Sequence, residues 1–250
     1  MAGHSKWANI KHRKGRQDEK RGKIWSKIAR QIIVAARAGG GDPAGNLTLR
    51  YAIDEAKAAN MPKDTIANAI KKGTGEVEGV TYESMVYEGY GPGGVAFLVS
   101  CLTDNRSRTA PEMRKLFERG GGQLGATNCV AYLFDQKGTF VIPADKMEED
   151  ALMELALEAG ADDVVAQGEC FEVTCEPSAF SDVRDALKNK GIEPTSAEVA
   201  MIAKTTITLD TDQARKALQL MESIEDHDDV QNVYTNLDLP DELIAEASGE

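Results

Sequence analysis

Residues 139–204 read TFVIPADKMEEDALMELALEAGADDVVAQGECFEVTCEPSAFSDVRDALKNKGIEPTSAEVAMIAK, and the order of elements in this stretch decides the fold. TFVIP, ADDVVA, CFEVTCE and AEVAMIAK are short runs rich in Val, Ile and Phe, residue types that suit a pleated, half-buried surface. KMEEDALMELALEA and FSDVRDALKNK instead space their apolar residues at helical intervals. The resulting β-α-β-β-α-β order is the split βαβ, ferredoxin-like arrangement. It predicts a self-contained domain over residues 136–204.

On either side of this unit the texture differs. VYEGY and VAFLVSCL are strand-like and are joined by Gly91-Pro92-Gly93-Gly94, a strong turn signal. A helix is expected from about Thr109, with Pro111 in its first turn and Met113, Leu116 and Phe117 on its apolar side. It stops at Gly120-Gly121-Gly122, and VAYLF is expected as the next strand. Beyond residue 204 come TTITL, a helix over 211–224 and VQNVYTNL. These three are too few to form a domain alone, so they are predicted to complete the sheet begun at 85–134. That makes a discontinuous domain of residues 79–135 with 205–241, followed by a short acidic tail.

Residues 1–78 read as a basic arm and a helical bundle. Ile24, Ile28 and Ile32 recur at i, i+4 and i+8, giving a helix of about 18 residues from Lys23 to the stop at Gly39-Gly40-Gly41. Leu49, Ala52, Ile53, Ala56 and Ala59 mark a second helix ended by Asn60. Pro62 suits the first turn of a third, with Asp64 favourable at its start and Lys71-Lys72 at its end. The expected class is therefore α+β and multidomain: an N-terminal three-helix domain followed by two α/β sandwich domains, one of them ferredoxin-like.

Charge is distributed unevenly over this frame. The net charge is −12, yet the first thirty residues hold ten Lys or Arg against only Asp18 and Glu19. Residues 1–80 carry a net +8 and residues 81–250 a net −20. An acidic protein that gathers its cations at one end has the footprint of a polyanion-binding face. Lys6, Lys11, Arg13, Lys14 and Arg16 alternate with His4, Trp7 and His12. Ammonium and guanidinium groups neutralise phosphates, and an indole or imidazole can stack on an exposed base. Packing of Trp7 onto the helical bundle is the alternative. Lys20, Arg21, Lys23, Lys27 and Arg30 continue the charge onto the first helix, where 20, 23, 27 and 30 share one face.

A second cationic cluster, Arg106 and Arg108, stands at a predicted helix start, where free backbone N–H groups favour an anion. Asp104 and Glu112 offer these arginines an internal partner instead. The acidic run Glu225–Asp229 reads as a solvated turn.

Other chemistry finds little support. Gly120-Gly121-Gly122-Gln123-Leu124-Gly125 satisfies G-x-G-x-x-G by letter, but it follows a helix and opens a strand, the reverse of a nucleotide fingerprint. Cys101, Cys129, Cys170 and Cys175 form no CxxC pair and have no zinc-like spacing with His4, His12 or His227, so reduced thiols are expected. No catalytic residue, metal ligand, cofactor or small-molecule substrate is indicated, and a non-enzymatic protein is expected. No apolar run approaches the ~20 residues that span a bilayer. No hydrophobic signal region opens the chain, so a cytoplasmic location without membrane contact is expected.

At this point the residues themselves resemble a known family. MAGHSKWANIKHRKGRQDEKRGKIWSKIARQIIVAARAGGGDP, YAIDEAKAANMPKDTIANAIKKGTGE, YEGYGPGGVAFLVSCLTDNRSRTAPEMRKLFERGGG and VAYLF are similar to the YebC family, which includes a mitochondrial translational activator of cytochrome oxidase. The resemblance implies a helical domain followed by two α/β domains. It also implies a nucleic-acid partner: promoter DNA for members described as probable transcriptional regulators, or rRNA and tRNA for members resembling ribosome-associated factors that relieve stalling. The sequence offers no clear helix-turn-helix with a base-reading helix. An irregular, glycine-containing cationic arm suits the grooves and single-stranded elements of folded RNA better than sequence-specific DNA.

Overall fold

A computed structural model describes residues 18–240 together with 242 and 243. The described residues divide into two compact units, one of residues 18–129 with 216–233 and the other of 130–215 with 234–240, 242 and 243.

The first unit opens with α1 (Asp18–Gly39), α2 (Leu47–Ala58) and α3 (Lys63–Thr74). The first helix starts five residues before the predicted Lys23. Its core face is Ile28, Ile32, Ile33, Ala35 and Ala36, packed against Leu49, Ala52, Ala56, Met61, Ile66 and Ala69. Ile24, the first residue of the predicted stripe, is 40% exposed instead. The many alanines at these contacts allow the helices to approach closely. Asn46 fixes the turn between α1 and α2. Its side-chain oxygen accepts the Leu49 N–H, and its amide donates to Ala35 O at 2.8 Å and Gly40 O at 2.9 Å. Trp25 Nε1 donates to Ala59 O at 2.9 Å, tying α1 to the end of α2.

The sheet of this unit has, from edge to edge, β3 (Gln123–Leu124), β1 (Glu83–Tyr90), β2 (Ala96–Thr103) and β9 (Val230–Thr235). Strands β1 (Glu83–Tyr90) and β2 (Ala96–Thr103) pair antiparallel over their full length, from Glu83↔Thr103 to Tyr90↔Ala96. Helix α4 (Arg106–Arg119) leads to the short β3 (Gln123–Leu124) beside β1. Phe97 and Phe117 meet edge to face at 5.8 Å in the core. The helix begins three residues before the predicted Thr109, because the Asn105 side chain caps the Arg108 N–H. Pro111 therefore lies inside it rather than in its first turn. Gly121, at φ 75°, and the Gly122 N–H on Phe117 O end the helix, as a glycine stop should.

The second unit contains β4 (Phe134–Pro143), α5 (Glu149–Glu158), β5 (Ala161–Gln167), β6 (Cys170–Cys175), α6 (Phe180–Asn189) and β7 (Ser196–Ala203). Its antiparallel sheet has the order β5-β6-β4-β7, which is the ferredoxin-like arrangement. Phe140 and Phe180 stack at 4.7 Å between sheet and helices. VAYLF is not a separate strand: Ala131–Leu133 form a 3-10 turn, and Phe134 opens β4 opposite Ala203. TTITL also departs from expectation. Only Ile207–Thr208 of it form a strand, β8, which pairs in parallel with β10 (Leu237–Asp238) as a separate ribbon. The strand that lies beside β2 is β9 (Val230–Thr235), reached through α7 (Thr211–Glu225).

Candidate nucleic-acid interface

In the acidic run predicted to be a solvated turn, Asp226 and Asp228 are exposed as expected, but Asp229 is an anchor. Asp229, at the start of β9, is 1% exposed and collects four side-chain partners. Arg108 donates to its Oδ2 at 2.6 Å, Thr109 at 2.8 Å and Thr103 at 3.1 Å, while Arg30 pairs with Oδ1 at 3.2 Å. Burial alone would raise the Asp229 carboxyl pKa. The hydrogen bonds from Arg108, Thr109 and Thr103, with the Arg108 charge, outweigh it and hold the pKa below the ordinary aspartate value. His227 buttresses the turn. Its Nδ1 accepts the Asp229 N–H at 3.1 Å, so the neutral ring carries its proton on Nε2, 3.0 Å from Glu112 Oε2.

Three predicted phosphate-binding cations of α1 converge on the same turn. Lys27 Nζ donates to Glu225 O at 2.7 Å, Lys23 Nζ lies 3.4 Å from Asp226 O, and Arg30 donates to Asp228 O. The physical reason is a helix end. The last carbonyls of a helix lack intrahelical partners and favour cations, and α7 has no basic residue in its own last turn. The face of α1 supplies them. Arg30 also lies over the Tyr82 ring at 5.5 Å. The structure thus gives Lys23, Lys27 and Arg30 internal partners at this turn.

Arg108 has internal partners too. It bridges Asp229, Asp104 at 3.1 Å and, more loosely, Glu112 at 3.8 Å, the pairing that Asp104 and Glu112 were expected to offer. The Asn105 cap also takes one of the backbone donors that an anion would need. Arg106, one residue into α4, is exposed and forms no ion pair among the described residues. His4, Lys6, Trp7, Lys11, His12, Arg13, Lys14 and Arg16 lie outside the described residues. Lys20 and Arg21 fall within α1.

Some residues that matter here escaped the pattern reading. Asp229, Thr103 and Thr109 are joined only through the fold, and no local motif announces them. The sequence marks Lys71 and Lys72 as favourable charges at a helix end and, with Lys63 and Asn68, as the few groups the third helix offers to a nucleic acid. Arg37, at the end of α1, was not singled out. Burial pushes the Cys101 thiol up to about 12, and the Asp229 charge adds to it; burial likewise raises Cys175 to about 11. Neither is a ready thiolate at neutral pH. Among the described residues no cluster of three or more His, Cys, Asp or Glu is placed to hold a metal ion, and no helix is long and apolar enough to cross a membrane.

This architecture, a helical domain joined to two α/β sheets, extends over whole relatives. Residues 5–76 match the family model described as "TACO1/YebC protein N-terminal domain", and residues 82–237 match "TACO1/YebC second and third domain". A protein of Maridesulfovibrio salexigens is 55% identical over 246 residues, covering 98% of this chain and 99% of its own. One of Trichlorobacter lovleyi is 57% identical over 240 residues, covering 96% of each. Both bear the name "Probable transcriptional regulatory protein". The crystal structure of a conserved hypothetical protein from Aquifex aeolicus superposes with a TM-score of 0.84 at 44% identity, over 94% of this chain and 97% of that one. The chain belongs to the TACO1/YebC family.

Proposed function

We propose that this protein is a non-enzymatic nucleic-acid-binding factor that acts in translation, gripping ribosomal or transfer RNA through its basic N-terminal arm. The observation that carries the reading is the placement of ten Lys or Arg against two carboxylates in the first thirty residues of a chain with net charge −12. Since Lys23, Lys27, Arg30 and Arg108 serve internal carboxylates and carbonyls, the outward grip falls to Lys6, Lys11, Arg13, Lys14 and Arg16. His4, Trp7 and His12 are of the types that stack on unpaired bases. The acidic remainder repels stray polyanion and so favours one orientation.

About five phosphate contacts give a log K against log salt slope of roughly −3.5 to −4.5. Replacing Lys11, Arg13 and Lys14 together by Ala is expected to remove most co-sedimentation with ribosomes; unchanged co-sedimentation would overturn the reading.

A second reading, a DNA-binding transcriptional regulator, is supported by the names its relatives bear. It predicts a footprint on defined promoter DNA with no ribosome association at matched salt. The described helices favour the first. α3 exposes Lys63, Asn68, Lys71 and Lys72, too few base-edge donors for a reading helix.

A further inference from the structure

We propose that the adjoining ends of α1 and α3 form a second phosphate grip for folded RNA, made of Arg37, Lys71 and Lys72. It rests on the RNA-binding reading above and adds to the arm a fixed site on the folded helical domain.

The site is assembled by a close crossing. A Cβ on Gly73 would sit 2.6 Å from both Ala36 Cβ and Ile33 O, and 3.3 Å from the Arg37 nitrogen. The two helices therefore cross closely, with nothing larger than the Ala36 methyl between them. Lys72 directly precedes Gly73 and Arg37 directly follows Ala36, so both positions flank the crossing. The stem of Lys72 lies across Gly79, where a Cβ would be 3.3 Å from the lysine Cβ and Cγ. Its methylenes are thus supported while the ammonium stays in water.

These three cations differ from those on the amino-terminal part of α1 because nothing in the described fold neutralises them. All are exposed, and none forms an ion pair among the described residues. The acidic groups nearest along the chain are engaged elsewhere: Asp42 accepts the Ala44 N–H at 2.9 Å, and Glu76 accepts the Thr74 hydroxyl at 3.0 Å.

Nor are the cations needed to cap their helices. Ala35 O and Gly40 O accept from the Asn46 amide, and Ala36 O accepts from the Gly40 N–H. Lys71 O accepts from the N–H groups of Gly75, Glu76 and Val77 and from the Thr74 hydroxyl. What remains is a cluster of unpaired positive charge. It fits a phosphodiester chain by charge, and with Asn68 the only amide on the same face of α3 it has little with which to read bases. It therefore binds without regard to sequence.

The test measures binding of fluorescein-labelled bulk tRNA to the full chain over a salt series. Arg37→Ala/Lys71→Ala/Lys72→Ala is expected to bind about tenfold more weakly, with the salt slope reduced by roughly 2 to 2.5. The charge-preserving Arg37→Lys/Lys71→Arg/Lys72→Arg should stay within about twofold of the parent. Lys188→Ala/Lys190→Ala, which removes two exposed cations at another helix end, should do the same. If thermal melting shows the triple variant misfolded, Lys71→Ala/Lys72→Ala replaces it, with a slope reduction of about 1.5 expected.

Parental affinity and slope in the patch variant, alongside lost binding in Lys11→Ala/Arg13→Ala/Lys14→Ala, would overturn the patch and leave the arm standing. Parental binding in both would sink both readings. An equal loss in Lys188→Ala/Lys190→Ala would reduce the effect to net charge and also overturn the patch. A loss seen only with 25-base-pair duplex DNA would overturn RNA as the occupant.

Discussion

Near its amino-terminal end, α1 sends Lys23, Lys27 and Arg30 to the turn at 225–229, where they meet orphan carbonyls and the buried Asp229. At its carboxyl end, where it crosses α3 at Gly73, Arg37 stands exposed, as do Lys71 and Lys72, and amide and hydroxyl donors satisfy the carbonyls in their stead. The helix is basic along its length, but its two ends use that charge for different purposes. Formal charge counts potential, whereas the charge available to a partner is what the protein's own acceptors leave over. A run of lysines and arginines can thus be as much a structural joint as a binding face.

The sharpest way to break this contrast is Asp229→Ala. It strips a buried carboxylate from two arginines and two threonines, and a loss of about 3–5 kcal/mol is expected in urea unfolding. The acid limb of stability tests the same group. Because the folded-state pKa of Asp229 lies below its ordinary value, its contribution is complete above about pH 4 and fades as pH falls through the folded pKa. Asp229→Asn should lack that part of the acid dependence, as urea midpoints between pH 2 and 6 would reveal.

Asn46→Ala tests the other end of α1. It removes an N-cap and two amide bonds, with about 2 kcal/mol lost and no change in the residues around Asp229. Smallest of all is Lys23→Ala. Its pair with Asp226 is exposed and 3.9 Å long, so stability should shift by no more than about 0.5 kcal/mol. A larger shift would mean that the amino-terminal joint depends on single surface contacts rather than on the buried carboxylate.

The fold was legible where periodicity is long and turns are strong. The β-α-β-β-α-β order of 139–204, the hairpin through Gly91–Gly94 and the three helices all rest on patterns that packing reinforces. Errors fell where tertiary pairing overrides local preference. VAYLF has strand composition, yet only Phe134 finds a ladder partner. TTITL has it too, yet pairs as a two-residue ribbon. The candidate site was legible as electrostatics but not as geometry. Asp229 meets Arg30 across 199 positions and Arg108 across 121. No window along the chain can show such a meeting, so a turn that is solvated at Asp226 and Asp228 also holds a buried anchor at Asp229.

That long reach has a consequence for biosynthesis. During translation α1 emerges early, while the segment that receives its cations follows some 200 residues later, about 10–40 s at ordinary elongation rates. Throughout that interval the nascent helix displays its full cationic face, within sight of the very polyanion that is making it. Only when the last part of the chain leaves the exit tunnel can the helix be seated and half of its charge withdrawn.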